Sequence, residues 1–163
     1  MFFIPSRYCS LMAGLAAATV LGACATPPAP KPQEKAAPAC QAAATDDKLV
    51  GNWLSIRKQK GVAGELRTLY TLNADGTMAY TELLKRGKNP SQGLAETGCW
   101  QHTNQTLVLQ TQTSNGMPVD LDDPIYTNRY TVTSITTDNV ALRDADGARI
   151  TARRMSLGYR LPF

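Results

Sequence analysis

The chain has 163 residues and a mass of 17.6 kDa, room for one ordinary domain and not two. With 43% hydrophobic and 18% charged residues and a mean hydropathy of -0.24, it is too apolar for a disordered protein and too polar for one that crosses a membrane many times. Its formal charge of +4 is spread along the chain, which argues against a nucleic-acid partner, and a single histidine, His102, argues against a histidine-rich metal site.

Residues 1–23 read as a signal peptide. One positive charge, Arg7, precedes the apolar run Leu11–Leu21, which is too short to span a bilayer but of the right length for the core of a secretory signal. The run ends in Leu21-Gly22-Ala23-Cys24, which resembles the bacterial lipobox. That resemblance implies cleavage after Ala23, a covalent diacylglycerol and an N-acyl chain (commonly palmitate) on Cys24, and stable anchoring, since the acyl chains exceed the two signals that hold a protein on a membrane. Ala25, where an aspartate would retain the protein at the inner membrane, implies the outer membrane, facing the periplasm. The alternative is an ordinary cleaved signal in which the cysteine is coincidental.

Residues 24–48 contain the anchored cysteine and a linker. From Ala25 to Lys48 there are five prolines and eight alanines without helical periodicity, a composition that predicts a semi-extended spacer. With Cys9 removed and Cys24 acylated, Cys40 and Cys99 remain, and two thiols in an oxidising periplasm are expected to pair. Two free thiols are the alternative. A redox or metal-binding pair would favour a close CxxC spacing that these cysteines lack.

From residue 49 to 163 short alternating segments recur every 8–14 positions, divided by turn residues, the pattern of an antiparallel sheet. Strands are predicted at 49–58, 66–73, 77–84, 95–103, 106–113, 126–135, 139–143 and 148–155. Asn73-Ala-Asp-Gly76 and Asp144-Ala-Asp-Gly147 read as tight turns rather than calcium loops, because neither continues with EF-hand ligand spacing. Two connections are long, Lys85–Leu94 and Ser114–Ile125. Eight sequential strands with mostly hairpin links predict an all-β, up-and-down antiparallel barrel, which leaves no open sheet edge.

Gly51-Asn-Trp53 resembles the Gly-x-Trp motif that opens the first strand of lipocalins, and Gly98-Cys-Trp100 repeats it. The resemblance implies a tryptophan plugging one end of the barrel with an arginine over it. Arg154, which shares a face with Ile150 and Ala152, is preferred to Arg153 for that role. Leu69–Thr77, Glu96-Thr-Gly-Cys-Trp100, Leu107-Val-Leu109, Tyr130-Thr-Val132 and Arg143–Gly147 together resemble the N-terminal domain of NlpE-type outer-membrane lipoproteins. That family is associated with copper homeostasis and envelope sensing. Its CxxC motif is absent, however: Gly61-Val-Ala-Gly-Glu65 stands there instead, so the fold and the anchor carry over and the metal does not.

Catalysis has little support. His102 is the sole base of the usual kind and sits beside a turn, and Asp120, Asp122 and Asp123 read as a solvated acidic loop. We therefore expect no enzyme, no metal and no cofactor beyond the lipid on Cys24. By side-chain parity Tyr70, Tyr80, Glu82 and Tyr130 point with the apolar residues, so they are the candidates to line a site for a small apolar or amphipathic ligand. Equally open are tyrosine hydroxyls that surface at the rim and a Glu82 turned out by a bulge. Arg57, Lys58, Lys60, Lys85, Arg86 and Lys88 fall near strand ends, where they would face anionic lipid or an acidic partner, or simply solvent. The expected function is a lipid-anchored binding or sensing module. The alternatives are an accessory protein docking an envelope partner and a hydrolase inhibitor presenting the Ser114–Ile125 loop.

Overall fold

Alternation of apolar and polar residues builds every long strand. In the computed structural model, which describes residues 37–58, 61, 63–87 and 92–161, the elements are β1 (Gly51–Arg57), β2 (Glu65–Leu72), β3 (Thr77–Lys85), β4 (Gln92–Thr103), β5 (Thr106–Ser114), β6 (Met117–Pro118), β7 (Thr127–Ile135), β8 (Asn139–Arg143) and β9 (Arg149–Met155). The described residues contain no α-helix; a single 3-10 turn, Pro124–Tyr126, is capped by the Asp123 carboxylate, which accepts from the Ile125 amide. Cys24, the signal peptide expected at residues 1–23, Lys60, Lys88 and Phe163 lie outside the described residues.

All pairings are antiparallel, and the strands join in the order β1-β2-β3-β4-β5-β7-β8-β9. The ring closes where β9 returns to β1 through Asn52↔Met155, Trp53↔Arg154 and Leu54↔Arg153. The result is a closed eight-stranded up-and-down barrel of the lipocalin-like kind, as the strand count and turn spacing predict. The ninth strand, β6, falls within the expected long loop. Asn115 and Gly116 take positive φ of 48° and 81°, the two-residue geometry that folds Met117 back onto Ser114.

Directly opposite residues share a face. Trp53, Tyr70, Leu72, Met78, Trp100, Leu107, Leu109, Tyr130, Val132, Val140, Leu142, Ile150 and Ala152 therefore fill the interior, with Leu49 against them. Outside the wall a second cluster forms on β1, β2 and β3, where Leu54, Leu69 and Leu83 are covered by Leu161, with Met155 and Tyr159 packed alongside. The segment after β9 thus folds back over an apolar patch that would otherwise face water.

The compact unit begins at residue 36, so the linker suggested by composition does not extend to Lys48. Residues 37–50 form a strap down the outer wall. Gln112 donates to the Pro38 carbonyl (2.7 Å), Cys40 bonds Cys99 with Cα atoms 5.2 Å apart, Ala43 donates to Ala74 (2.9 Å), and Asp47 pairs with His102 (2.9 Å). Cys99 faces outward because Trp100 faces in, and the strap crosses it there. The disulfide spans 59 residues, a separation worth about 4 kcal/mol in the loop-entropy description. Replacing both Cys40 and Cys99 with Ala should lower unfolding stability by about 2–4 kcal/mol without loss of β structure, measured by urea denaturation with circular dichroism; an unchanged midpoint would show that the bond contributes nothing.

Candidate functional site at the open end of the barrel

The two ends of the barrel are built differently. At the closed end Trp53 and Trp100 are only 1% and 2% exposed. The Trp53 indole donates to the Leu49 carbonyl (2.7 Å) and the Trp100 indole to the Asn73 carbonyl (2.8 Å). Arg154 lies over Trp53 with its guanidinium carbon 4.0 Å from the ring centroid, and donates to the carbonyls of Lys48 (2.7 Å), Val50 (2.8 Å) and Thr137 (2.6 Å). Gly51 holds φ +137°, and a Cβ there would lie 2.4 Å from the Arg154 guanidinium. A Cβ on Gly98 would lie 2.0 Å from the Gln110 carbonyl, so only glycine lets β4 approach β5 at its irregularity between Thr97 and Gly98. Arg153 is exposed, on the outer face.

Toward the other end the interior turns polar. The register pairs Ser55 with Thr68, Thr68 with Glu82, Tyr70 with Tyr80, and Tyr80 with Glu96, so these side chains share the inner face with Arg57. Tyr70, Tyr80, Glu82 and Tyr130, nominated by parity, come together here. Tyr70 meets Tyr80 edge-on at 5.4 Å and Tyr130 at 6.2 Å. Glu82 points inward, half-buried, accepting from the Tyr80 hydroxyl (2.6 Å) and from Thr68 (3.4 Å). Glu96 accepts from the fully buried Thr111 (3.1 Å). Ser55, Arg57, Thr68 and Glu96 also face inward by parity, although as polar residues they carry no apolar signal in the sequence.

Burial disfavours the phenolate and so pushes the pKa of all three phenols up. It pushes Tyr70 well above the usual value, with the neighbouring Tyr130 adding to it; it raises Tyr80, with Tyr70 and Glu82 reinforcing; and it raises Tyr130, opposed by a hydrogen bond from Tyr70 and by the Arg57 charge. Above them opens a cavity of about 320 Å3, lined by Arg57, Tyr70, Tyr80, Tyr130, Asp144 and Ile150 among others. A groove of about 380 Å3 runs outside the wall beside the disulfide, between Pro38–Gln41 and the outer faces of β4, β5 and β7.

Elsewhere the expected turns hold their own polar groups. Asp75 accepts from the Thr77 amide (2.9 Å) and hydroxyl (2.6 Å), which holds its carboxyl below the usual range. His102 pairs with Asp47 of the strap and is not part of the lining of the tyrosines' cavity. Neither a protein-family model nor a curated protein sequence matches the chain.

Two outcomes follow. Arg154→Met should cost about 2–4 kcal/mol, because it strips the donors from three carbonyls, whereas Arg153→Met should stay within about 0.5 kcal/mol; equal effects in urea melts would remove Arg154 from its closing role. The raised phenols bind their protons more tightly folded than unfolded, so the stability they contribute is complete below the unfolded value near pH 10 and is lost as pH rises past it. Each withdraws up to about 1.4 kcal/mol per pH unit there. Absorbance at 295 nm should show these tyrosines ionising only as the barrel unfolds, and full reversible ionisation near pH 10 in the folded protein would contradict it.

Proposed function

We propose that the chain is a lipid-anchored lipoprotein of the outer membrane, periplasm-facing and without enzymatic activity, whose barrel binds one small ligand at its open end and serves as a binding or sensing module. The observation that carries the reading is the polar layer beneath the 320 Å3 cavity: three tyrosines, two glutamates and an arginine inside a barrel whose other half is packed solid. A barrel that only had to be stable would be better served by apolar side chains there, since each polar group must find a partner. The lipobox-like Leu21–Cys24 supports the anchor, and the resemblance to NlpE-type lipoproteins supports the setting.

A second reading draws on Met117 and Ile125, 69% and 68% exposed on the connection from β5 to β7. Those side chains suit docking of an envelope protein, either as an accessory or as an inhibitor. Substituting both with Ser would abolish docking and leave ligand binding intact.

Native mass spectrometry of the whole mature protein, purified gently from a bacterial envelope, tests the main reading. We expect a stoichiometric added mass beyond the lipid, lost in Tyr130→Phe and Glu82→Gln. A mass that survives both substitutions, or none after incubation with envelope extract, counts against ligand binding. Cys24→Ala should move the protein out of the membrane fraction, and retention there would sink the anchor.

A further inference from the structure

The polar layer is almost self-satisfied, and its exception points to a ligand class. Glu82 is occupied by Tyr80 and Thr68, and Glu96 by Thr111. Tyr130 packs edge-on against Tyr70, with ring centroids 6.2 Å apart, and lines the cavity. Beside it, the Arg57 Nε is buried without a hydrogen-bond partner, and no described carboxylate forms an ion pair with that guanidinium. Both groups line the same cavity. A buried donor that carries a fixed positive charge therefore stands beside this space without a partner, with Tyr130 next to it in the lining. Leaving a buried donor unpaired costs about 1–3 kcal/mol, more when it is charged, and an anion placed there would recover it.

We propose that Arg57 and Tyr130 form an anion subsite that takes the carboxylate or phosphodiester head of a small molecule. This rests on the reading that the barrel binds a ligand at its open end. The head enters first, because beneath Tyr70 and Tyr130 the interior is closed by Leu107, Leu109, Val132 and Leu142, each under 9% exposed. The remainder of the ligand lies against the Tyr80 ring and Ile150 and leaves through the rim. Asp144 and Asp146 stand at that rim and disfavour a second negative charge, so the head is singly charged. The guanidinium suits this role better than an ammonium would, since its planar fork matches two oxygens of a carboxylate or phosphate.

The test is titration calorimetry of the whole mature protein, freed of any co-purified ligand, with three probes that share a phenyl ring: benzoate, its neutral near-isostere benzamide, and methyl phenyl phosphate. One anion should bind saturably, one per chain, and whichever binds more tightly identifies the carboxylate or the phosphodiester as the head. Benzamide should bind at least about tenfold more weakly, and Arg57→Met should weaken the preferred anion by about tenfold or more with no loss of melting temperature. Tyr130→Phe, which removes a hydrogen bond to a charged head, should also weaken it about tenfold or more. Arg57→Lys keeps the charge, loses the Nε donor and should show an intermediate loss; it carries the comparison if Arg57→Met does not fold. Benzamide binding as tightly as the anions, or affinity unchanged in the Arg57 variants, overturns the subsite and leaves the barrel a ligand binder. Absence of saturable binding by either anion also overturns it, and the native mass spectrum then decides separately whether the barrel binds anything else.

Discussion

Arg154 over Trp53 is the contact on which the rest of the barrel depends. A closed sheet requires its last strand to find its first, and here that seam has three registered pairs, with Trp53↔Arg154 at its centre. The β1–β2 pairing, by contrast, runs for the whole of β1. A short seam specifies register weakly, and a slip of one residue would turn every inward side chain outward. Arg154 prevents this because its guanidinium cannot shift without abandoning the indole and three carbonyls on three sides: Lys48 and Val50 at the end of the strap, and Thr137 in the turn between β7 and β8. One cation thereby fixes the seam, the strap and a hairpin against each other. Being flat, it stacks on the ring while its edge donates, which an ammonium cannot do.

With the register pinned, the chemistry of the interior follows from parity. Trp53, Ser55 and Arg57 alternate inward along β1, from the plugged end to the open one. Leu72, Tyr70 and Thr68 repeat the gradient along β2, and Met78, Tyr80 and Glu82 along β3. Each strand is apolar where it meets the tryptophans and polar where it meets the long loops. Tyrosine is the residue of the boundary: its ring packs edge-on with its neighbours while its hydroxyl reaches the polar layer above.

Much of this was legible in the residue order. The eight long strands lie within a few residues of the predicted ones because alternation continues right up to the turn residues. The preference for Arg154 over Arg153 came from parity alone. Pairing of Cys40 with Cys99 followed from counting the thiols left for a compartment expected to be oxidising, and the structure contains that bond. Three features were not read. Asn115-Gly116 is a strong two-residue hairpin signal, but Pro118 close behind it made the segment look like loop. The strap is made of alanine, glutamine and proline, whose composition resembles a spacer; its position is set by a covalent bond, the Asp47–His102 pair and backbone contacts that no periodicity announces. Glu96 is inward by parity with Trp100, but a carboxylate in an alternating strand reads as solvent-facing, and its partner Thr111 is reached only across the irregularity at Thr97 and Gly98.

The strap and the C-terminal segment explain how the barrel sustains a polar half. An interior with tyrosine, glutamate, threonine and arginine in its upper layer buries less apolar surface than a solid one and leaves one donor unpaired. Compensation comes from outside the strands. The strap seals the closed end, so that Leu49, Trp53 and Trp100 lose essentially all contact with water. Leu161 and its neighbours do the same for Leu54, Leu69 and Leu83 on the outer wall. Both additions act on the closed end or on the outer wall. Stability is thereby concentrated away from the polar layer, which is the arrangement that lets a binding surface keep unsatisfied groups without unfolding the scaffold that holds them.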